Sequence, residues 1–296
     1  MERRVRAVPG TRHARRRRLR RGDAARARGV DARRGLRARA RRRRRTQLRD
    51  ARSDPGRAPH GTLHDGEAVS GPPPRGAATS RLQTLAIAGP AGALEALLNE
   101  HEGREPAIVA LVCHPHPLYG GTMHNKVVHR VAATLHELGA AVLRFNFRGA
   151  GKSEGLHDEG AGELDDARAA LAWLGARHPR ARRWVAGFSF GAWIAARLAA
   201  SERSVERLVM VAPPVQRSDF DLLREAAVPK LALQGTHDEV CPPAALEAAF
   251  ATWAEPKALR RIEGGTHFFD RQLGDLADAL RDALGGPAAG DASADR

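Results

Sequence analysis

Ser189 stands between two glycines in Gly187-Phe188-Ser189-Phe190-Gly191, with the apolar run Trp184-Val185-Ala186 before it and an alanine-rich helical pattern after it. A serine hydroxyl is a weak nucleophile at neutral pH. To attack a carbonyl it needs an imidazole base, a carboxylate to orient that base, and backbone N–H groups for the oxyanion. The G-x-S-x-G spacing has a mechanical reason: the serine occupies a tight strand-to-helix turn, and a side chain at either glycine would strike neighbouring elements. The plainer reading makes Ser189 a helix cap. A strand before the motif and a helix after it favour the nucleophile, and they make the Phe190 N–H the first oxyanion donor.

The acid is expected after a later strand, and Leu231–Gln234 leads into Gly235-Thr236-His237-Asp238-Glu239-Val240. Asp238 is the choice, with Glu239 equally permitted by spacing; the bland role of either is a polar turn. The base is expected after the last strand, where Ile262-Glu263-Gly264-Gly265-Thr266 leads to His267, one of 13 histidines. The order Ser189, Asp238, His267, each behind a strand, suits acyl transfer to water through an acyl-enzyme. The second oxyanion donor belongs to the loop His114–Thr122. Pro115 and Pro117 have no N–H to offer, which leaves His116, Leu118 and Tyr119 open as candidates.

Two other chemistries are set aside. His114, His116 and His124 resemble metal ligands, but no carboxylate or cysteine cluster completes them, so neither metal nor cofactor is expected. Gly149-x-Gly151-Lys152-Ser153 resembles a phosphate loop, yet Asn146 stands where that motif needs glycine and no helix opens directly after Ser153. It is read as a structural turn, with Asn146 and Arg148 holding the loop by hydrogen bonds.

The elements that must position these residues alternate along the chain. Leu82–Ile87 and Ala93–Leu98 read as an antiparallel hairpin. Ala107–Cys113 is continuously apolar, as in a strand buried on both faces. Strands are then expected at 141–147, 184–186, 205–211, 231–234 and 259–262, and helices at 125–138, 161–176, 190–200, 244–252 and 273–284. This order predicts an α/β fold with a mainly parallel central sheet flanked by helices. Only a short connection separates Val211 from Leu231, so no large lid domain is expected, and an open pocket suits small esters, thioesters, lactones or peptide ends.

From Arg81 to about Leu284 the chain resembles the α/β-hydrolase superfamily. Within it, Cys113-His114-Pro115-His116-Pro117-Leu118-Tyr119-Gly120-Gly121-Thr122-Met123 and Arg144–Gly155 are similar to a group of small bacterial hydrolases described as dienelactone-hydrolase-like or Xaa-Pro-peptidase-like. The resemblance implies a serine nucleophile at Ser189, an acid at Asp238 and a base at His267. Dienelactone hydrolases proper use cysteine as nucleophile, and this elbow carries serine.

Charge divides the chain. Of 49 basic residues, 25 are arginines before Arg81, against 7 of the 34 acidic ones, so the leader is strongly basic and the remainder slightly acidic. With its arginine runs and few β-branched or aromatic residues, segment 1–80 is expected to be a disordered leader. Three readings compete for it: a nucleic-acid-binding tail, an organelle transit peptide, or GC-rich DNA translated upstream of the true start. A hydrolase-like domain is expected over 81–285 and a flexible tail over 286–296. Two cysteines fit a reducing cytoplasm, and no apolar run approaches the length of a membrane span. The expected partner is a small-molecule acyl substrate, with nucleic acid only through the leader and no membrane; no feature sets an oligomeric state. The alternative is a non-catalytic scaffold of the same fold whose leader binds nucleic acid.

Overall fold

The opening hairpin pairs β1 (Ser80–Gly89) with β2 (Gly92–His101) in unbroken antiparallel register, from Ser80 opposite His101 to Gly89 opposite Gly92. The structure, a computed structural model, describes residues 79–285; the expectations for the leader and for 286–296 lie outside the described residues. Six further strands follow: β3 (Ile108–Cys113), β4 (Ala141–Phe145), β5 (Arg182–Phe188), β6 (Val205–Val211), β7 (Lys230–Gly235) and β8 (Lys257–Ile262). They form an eight-stranded sheet in the order β1-β2-β4-β3-β5-β6-β7-β8. β2 meets β4 antiparallel, and β3 to β8 run parallel. Parallel neighbours require crossovers, supplied by α1 (Lys126–Glu137), α2 (Ala161–Arg177), α3 (Phe190–Ser201) and α4 (Pro243–Thr252); α5 (Leu273–Leu284) closes the chain.

The apolar run of β3 is buried on both faces because successive side chains point opposite ways. Val109, Leu111 and Cys113 join a core with Leu171 and Leu174 of α2 and Ile194 and Leu198 of α3. Ala110 and Val112 join a second core with Val128 and Val131 of α1 and Leu276 and Leu280 of α5. α1 starts where the Asn125 side chain accepts the N–H groups of Val127 and Val128, satisfying donors that a helix leaves unpaired.

β4 ends at Phe145, two residues before the expected boundary at 147. Asn146 instead braces the turn, accepting the Met123 N–H and donating Nδ2–H to Glu95. Phe147 stays buried outside the ladder, so hydrophobicity alone misplaced the strand's end. The segment Gly149–Ser153 is the structural turn expected of it: Glu95 accepts the Lys152 N–H, and Ser153 Oγ donates to the Asn146 carbonyl. Arg148 grips the buried Asp166 of α2 through its backbone N–H, Nε and Nη2, which ties the loop after β4 to that helix.

His114 is fully buried at the end of β3. Its Nδ1–H donates to the Pro115 carbonyl at 2.6 Å, and its Nε2 accepts the Phe147 N–H at 3.0 Å. Both nitrogens are therefore occupied, and neither is available to a metal. Burial pushes its pKa down to about 4. The unfolded chain takes up this proton near pH 6.5 while the folded chain refuses it, so stability falls as pH drops from about 6.5 to about 4. The loss from this one group is about 3 kcal/mol. Urea unfolding at pH 7.5 and pH 4 checks this: the pH-dependent loss should shrink by about that amount in His114→Asn, and an equal loss in both proteins would contradict it.

Candidate active site

Because β3 to β8 are parallel, their carboxyl ends open onto one edge of the sheet, where ligands of open α/β sheets bind. Ser189 follows β5 with φ 54° and ψ −120°, a strained conformation for a residue with a side chain. Its N–H donates to the Val211 carbonyl, and its own carbonyl accepts from Ala192 and Trp193 as α3 begins. The two flanking glycines are demanded by sterics: a Cβ on Gly187 would overlap the Gly191 carbonyl, and one on Gly191 would overlap the carbonyls of Cys113 and His114. The Ser189 hydroxyl makes no capping bond, so the plainer role as helix cap is not the one it has.

Ser189 Oγ lies 3.2 Å from His267 Nε2, and His267 Nδ1 lies 2.9 Å from Asp238 Oδ2. The structure thus brings together three residues from loops behind β5, β7 and β8. Asp238 and His267 are both buried, whereas Glu239 is exposed, which separates the two acids that spacing left equivalent. Asp238 is fully engaged: Oδ1 accepts the N–H groups of Val240 at 2.9 Å and Cys241 at 2.8 Å, and Oδ2 accepts Gln234 Nε2–H at 3.0 Å beside the imidazole. An acceptor at Nδ1 places the imidazole proton there and leaves the Nε2 lone pair facing the serine. Sequence reading missed Gln234; its only signal was an amide closing an otherwise apolar strand.

The three loop candidates for the second oxyanion donor now differ. His116 caps a short 3-10 turn, Pro117–Tyr119. Within it the Leu118 N–H goes to His116 Nδ1 at 3.3 Å and the Tyr119 N–H to the His116 carbonyl at 3.1 Å. Leu118 and Tyr119 are therefore corrected as donors, because the turn consumes their N–H groups. The N–H groups of His116 and Phe190 have no protein acceptor among the described residues, and the two rings pack 4.8 Å apart.

Among the described residues the only close set of potential metal-binding groups is Asp238, Cys241 and His267. Burial, aided by the Asp238 charge, raises the Cys241 thiol to about 12, so it stays protonated and is a poor ligand. His114, His116 and His124 form no such set. Leu118, Tyr119, Leu156, Val240 and Phe268 are exposed, all on loops behind the carboxyl ends of strands, beside exposed polar residues such as His237 and Glu239. Between β6 and β7 the chain makes only a 3-10 turn, Asp221–Arg224, and among the described residues no lid covers the serine.

Known proteins resemble this chain in sequence and fold. Residues 107–224 match the family described as serine aminopeptidase, S33. The chain is 37% identical over 187 residues to an uncharacterized protein of Rickettsia prowazekii, covering 60% of this chain and 79% of that one. Among solved structures, an alpha-beta serine hydrolase homologue from Coxiella burnetii is 42% identical with a TM-score of 0.66, over 68% of this chain and 97% of its own. A serine hydrolase without lid from Xanthomonas campestris is 40% identical with a TM-score of 0.65, over 69% and 93%. Described residues contain no helix long and apolar enough to cross a membrane. The sheet order, the strained serine behind β5 and these relatives agree, and the chain belongs to the lidless serine hydrolases of the α/β-hydrolase superfamily.

Proposed function

We propose that the protein hydrolyses a small ester, thioester, lactone or peptide-like acyl substrate through Ser189, His267 and Asp238. The observation that carries this reading is the unbroken chain from Ser189 Oγ to His267 at 3.2 Å and from His267 to Asp238 at 2.9 Å. His267 Nε2 takes the Ser189 proton as Oγ attacks the carbonyl carbon, and the imidazolium then gives that proton to the leaving group. The acyl-enzyme is cleaved by a water that His267 deprotonates in turn. Asp238 holds the ring and offsets its transient charge. The N–H groups of Phe190 and His116 meet the oxyanion, which needs donors that are already in place when charge develops. The activity resides in the domain 81–285, and the lack of a lid among the described residues favours compact acyl groups over long lipid chains.

A fluorophosphonate probe tests this directly. It should label the protein once, with the added mass on the peptide that contains Ser189, and the labelled protein should no longer cleave p-nitrophenyl acetate. Absence of labelling, or labelling at another residue, would overturn the assignment.

A further inference from the structure

The loop after β4 carries a histidine to which the sequence assigned no role. His157 Nδ1 lies 2.7 Å from Oε1 of Glu163, a carboxylate with no exposed side-chain surface. The same carboxylate accepts the N–H groups of Asp158 at 2.9 Å and Gly160 at 2.7 Å. Burial opposes its charge, but these backbone donors, with His157 beside them, hold the Glu163 carboxyl below the ordinary range. The Glu163 carboxylate oxygen lies 2.7 Å from Nδ1 but off the ring's N–H axis, so no aligned hydrogen bond joins them; its negative charge favours the proton on that nitrogen over Nε2. Nε2 of neutral His157 is then an acceptor.

His116 has the opposite polarity. Its Nδ1 accepts the Leu118 N–H, so its proton is on Nε2, which is a donor. The two rings are 4.7 Å apart and pack on Phe190 at 4.8 Å from His116 and 5.9 Å from His157. Among the described residues neither Nε2 has a protein partner, and neither is enclosed. One donor and one acceptor that no described residue uses therefore lie on rings packed against Phe190, the residue after the serine.

We infer that His116 and His157 form a subsite for a hydroxyl group on the substrate, next to the scissile carbonyl. This rests on the hydrolase reading above. A single hydroxyl oxygen accepts from His116 Nε2–H and donates its own proton to His157 Nε2. A carboxylate brings only acceptors and would meet the His157 lone pair; an ether oxygen satisfies His116 alone. Plain esters leave both groups to water, so they gain nothing from the pair.

Matched esters give the test: ethyl lactate against ethyl propionate for a hydroxyl on the acyl side, and 2-hydroxyethyl acetate against ethyl acetate for one on the alcohol side. On at least one pair the wild-type kcat/KM should favour the hydroxylated ester by about 10-fold or more, the worth of one net hydrogen bond. That ratio should fall towards one in His157→Phe and in His157→Gln, whose amide still donates to Glu163, whatever happens to the plain ester. A ratio near one on both pairs, or a preference unchanged in both variants, overturns the subsite. A readout without turnover separates this from failure of the hydrolase reading. In Ser189→Ala protein, imidazole 15N spectra should show His157 protonated on Nδ1 and His116 on Nε2, and ethyl lactate or 2-hydroxyethyl acetate, but not its plain partner, should shift both Nε2 resonances. Reversed tautomers, or no shift with either hydroxylated ester, would overturn the proposal even in an inactive protein.

Discussion

Ser189→Ala should lower kcat for p-nitrophenyl acetate by roughly 10⁶-fold, the scale on which removing the nucleophile disables a triad. The variant loses Oγ, the group that among the described residues is aligned with His267 Nε2 at 3.2 Å. Alanine keeps the same Cβ, so the strained backbone at φ 54° is neither relieved nor worsened. The protein should therefore melt within a few degrees of wild type, which separates lost chemistry from lost folding. KM should change little, since the hydroxyl contributes to bond making more than to ground-state binding. His267→Ala should be similarly disabled, and the double variant hardly worse than either single one, because residues acting as a unit are not additive. Wild-type turnover by Ser189→Ala, measured by nitrophenolate release, would refute the mechanism.

Asp238→Asn should lower kcat by roughly 10⁴-fold, the scale seen when the orienting acid of a triad becomes an amide. All the acceptor capacity of Asp238 is in use, with two backbone N–H groups on Oδ1 and the His267 and Gln234 donors on Oδ2. An amide must turn an NH₂ towards one of these donors. If it faces His267, the ring is driven to the tautomer whose Nε2–H points at the serine and cannot take its proton. Glu239→Gln, at an exposed position, should stay within about twofold of wild type, as surface substitutions do. The reverse result, with Glu239 essential and Asp238 dispensable, would reassign the acid.

The Gln234 contact adds a further constraint on Asp238. Its Nε2–H also reaches the Cys241 carbonyl at 2.9 Å, so one amide ties the acid to the loop that wraps it. Among the described residues four donors hold Asp238, and none of them carries a charge in the resting site. That arrangement positions the carboxylate before substrate arrives, which is what catalysis by fixed dipoles requires.

Much of the fold was legible because local chemistry writes it. Alternation in Leu82–Ile87, the doubly buried run ending at Cys113 and the glycine pair around Ser189 all reflect contacts set by chain periodicity or by one turn. Boundaries read from hydrophobicity slipped where burial and pairing part company, as at Phe147, which is buried but off the ladder. Asp238 and Glu239 could not be separated by spacing, since adjacent turn residues differ in direction and not in type. The proline rule removed two loop donors, and only the 3-10 turn, by consuming the N–H groups of Leu118 and Tyr119, removed two more.

By itself the sequence determined the α/β order, the serine elbow and the strand-by-strand placement of an acid and a base, all of which depend on residue type and separation along the chain. The tertiary structure decided which acid faces the imidazole, that Gln234 braces it, that the N–H groups of His116 and Phe190 have no acceptor among the described residues, and that the His116 and His157 rings stand side by side. Those outcomes depend on side-chain direction and on partners such as Phe190 and Glu163, brought together by β3, β4 and β5 being neighbours or near neighbours in the sheet. Separation along the chain carries no record of that adjacency.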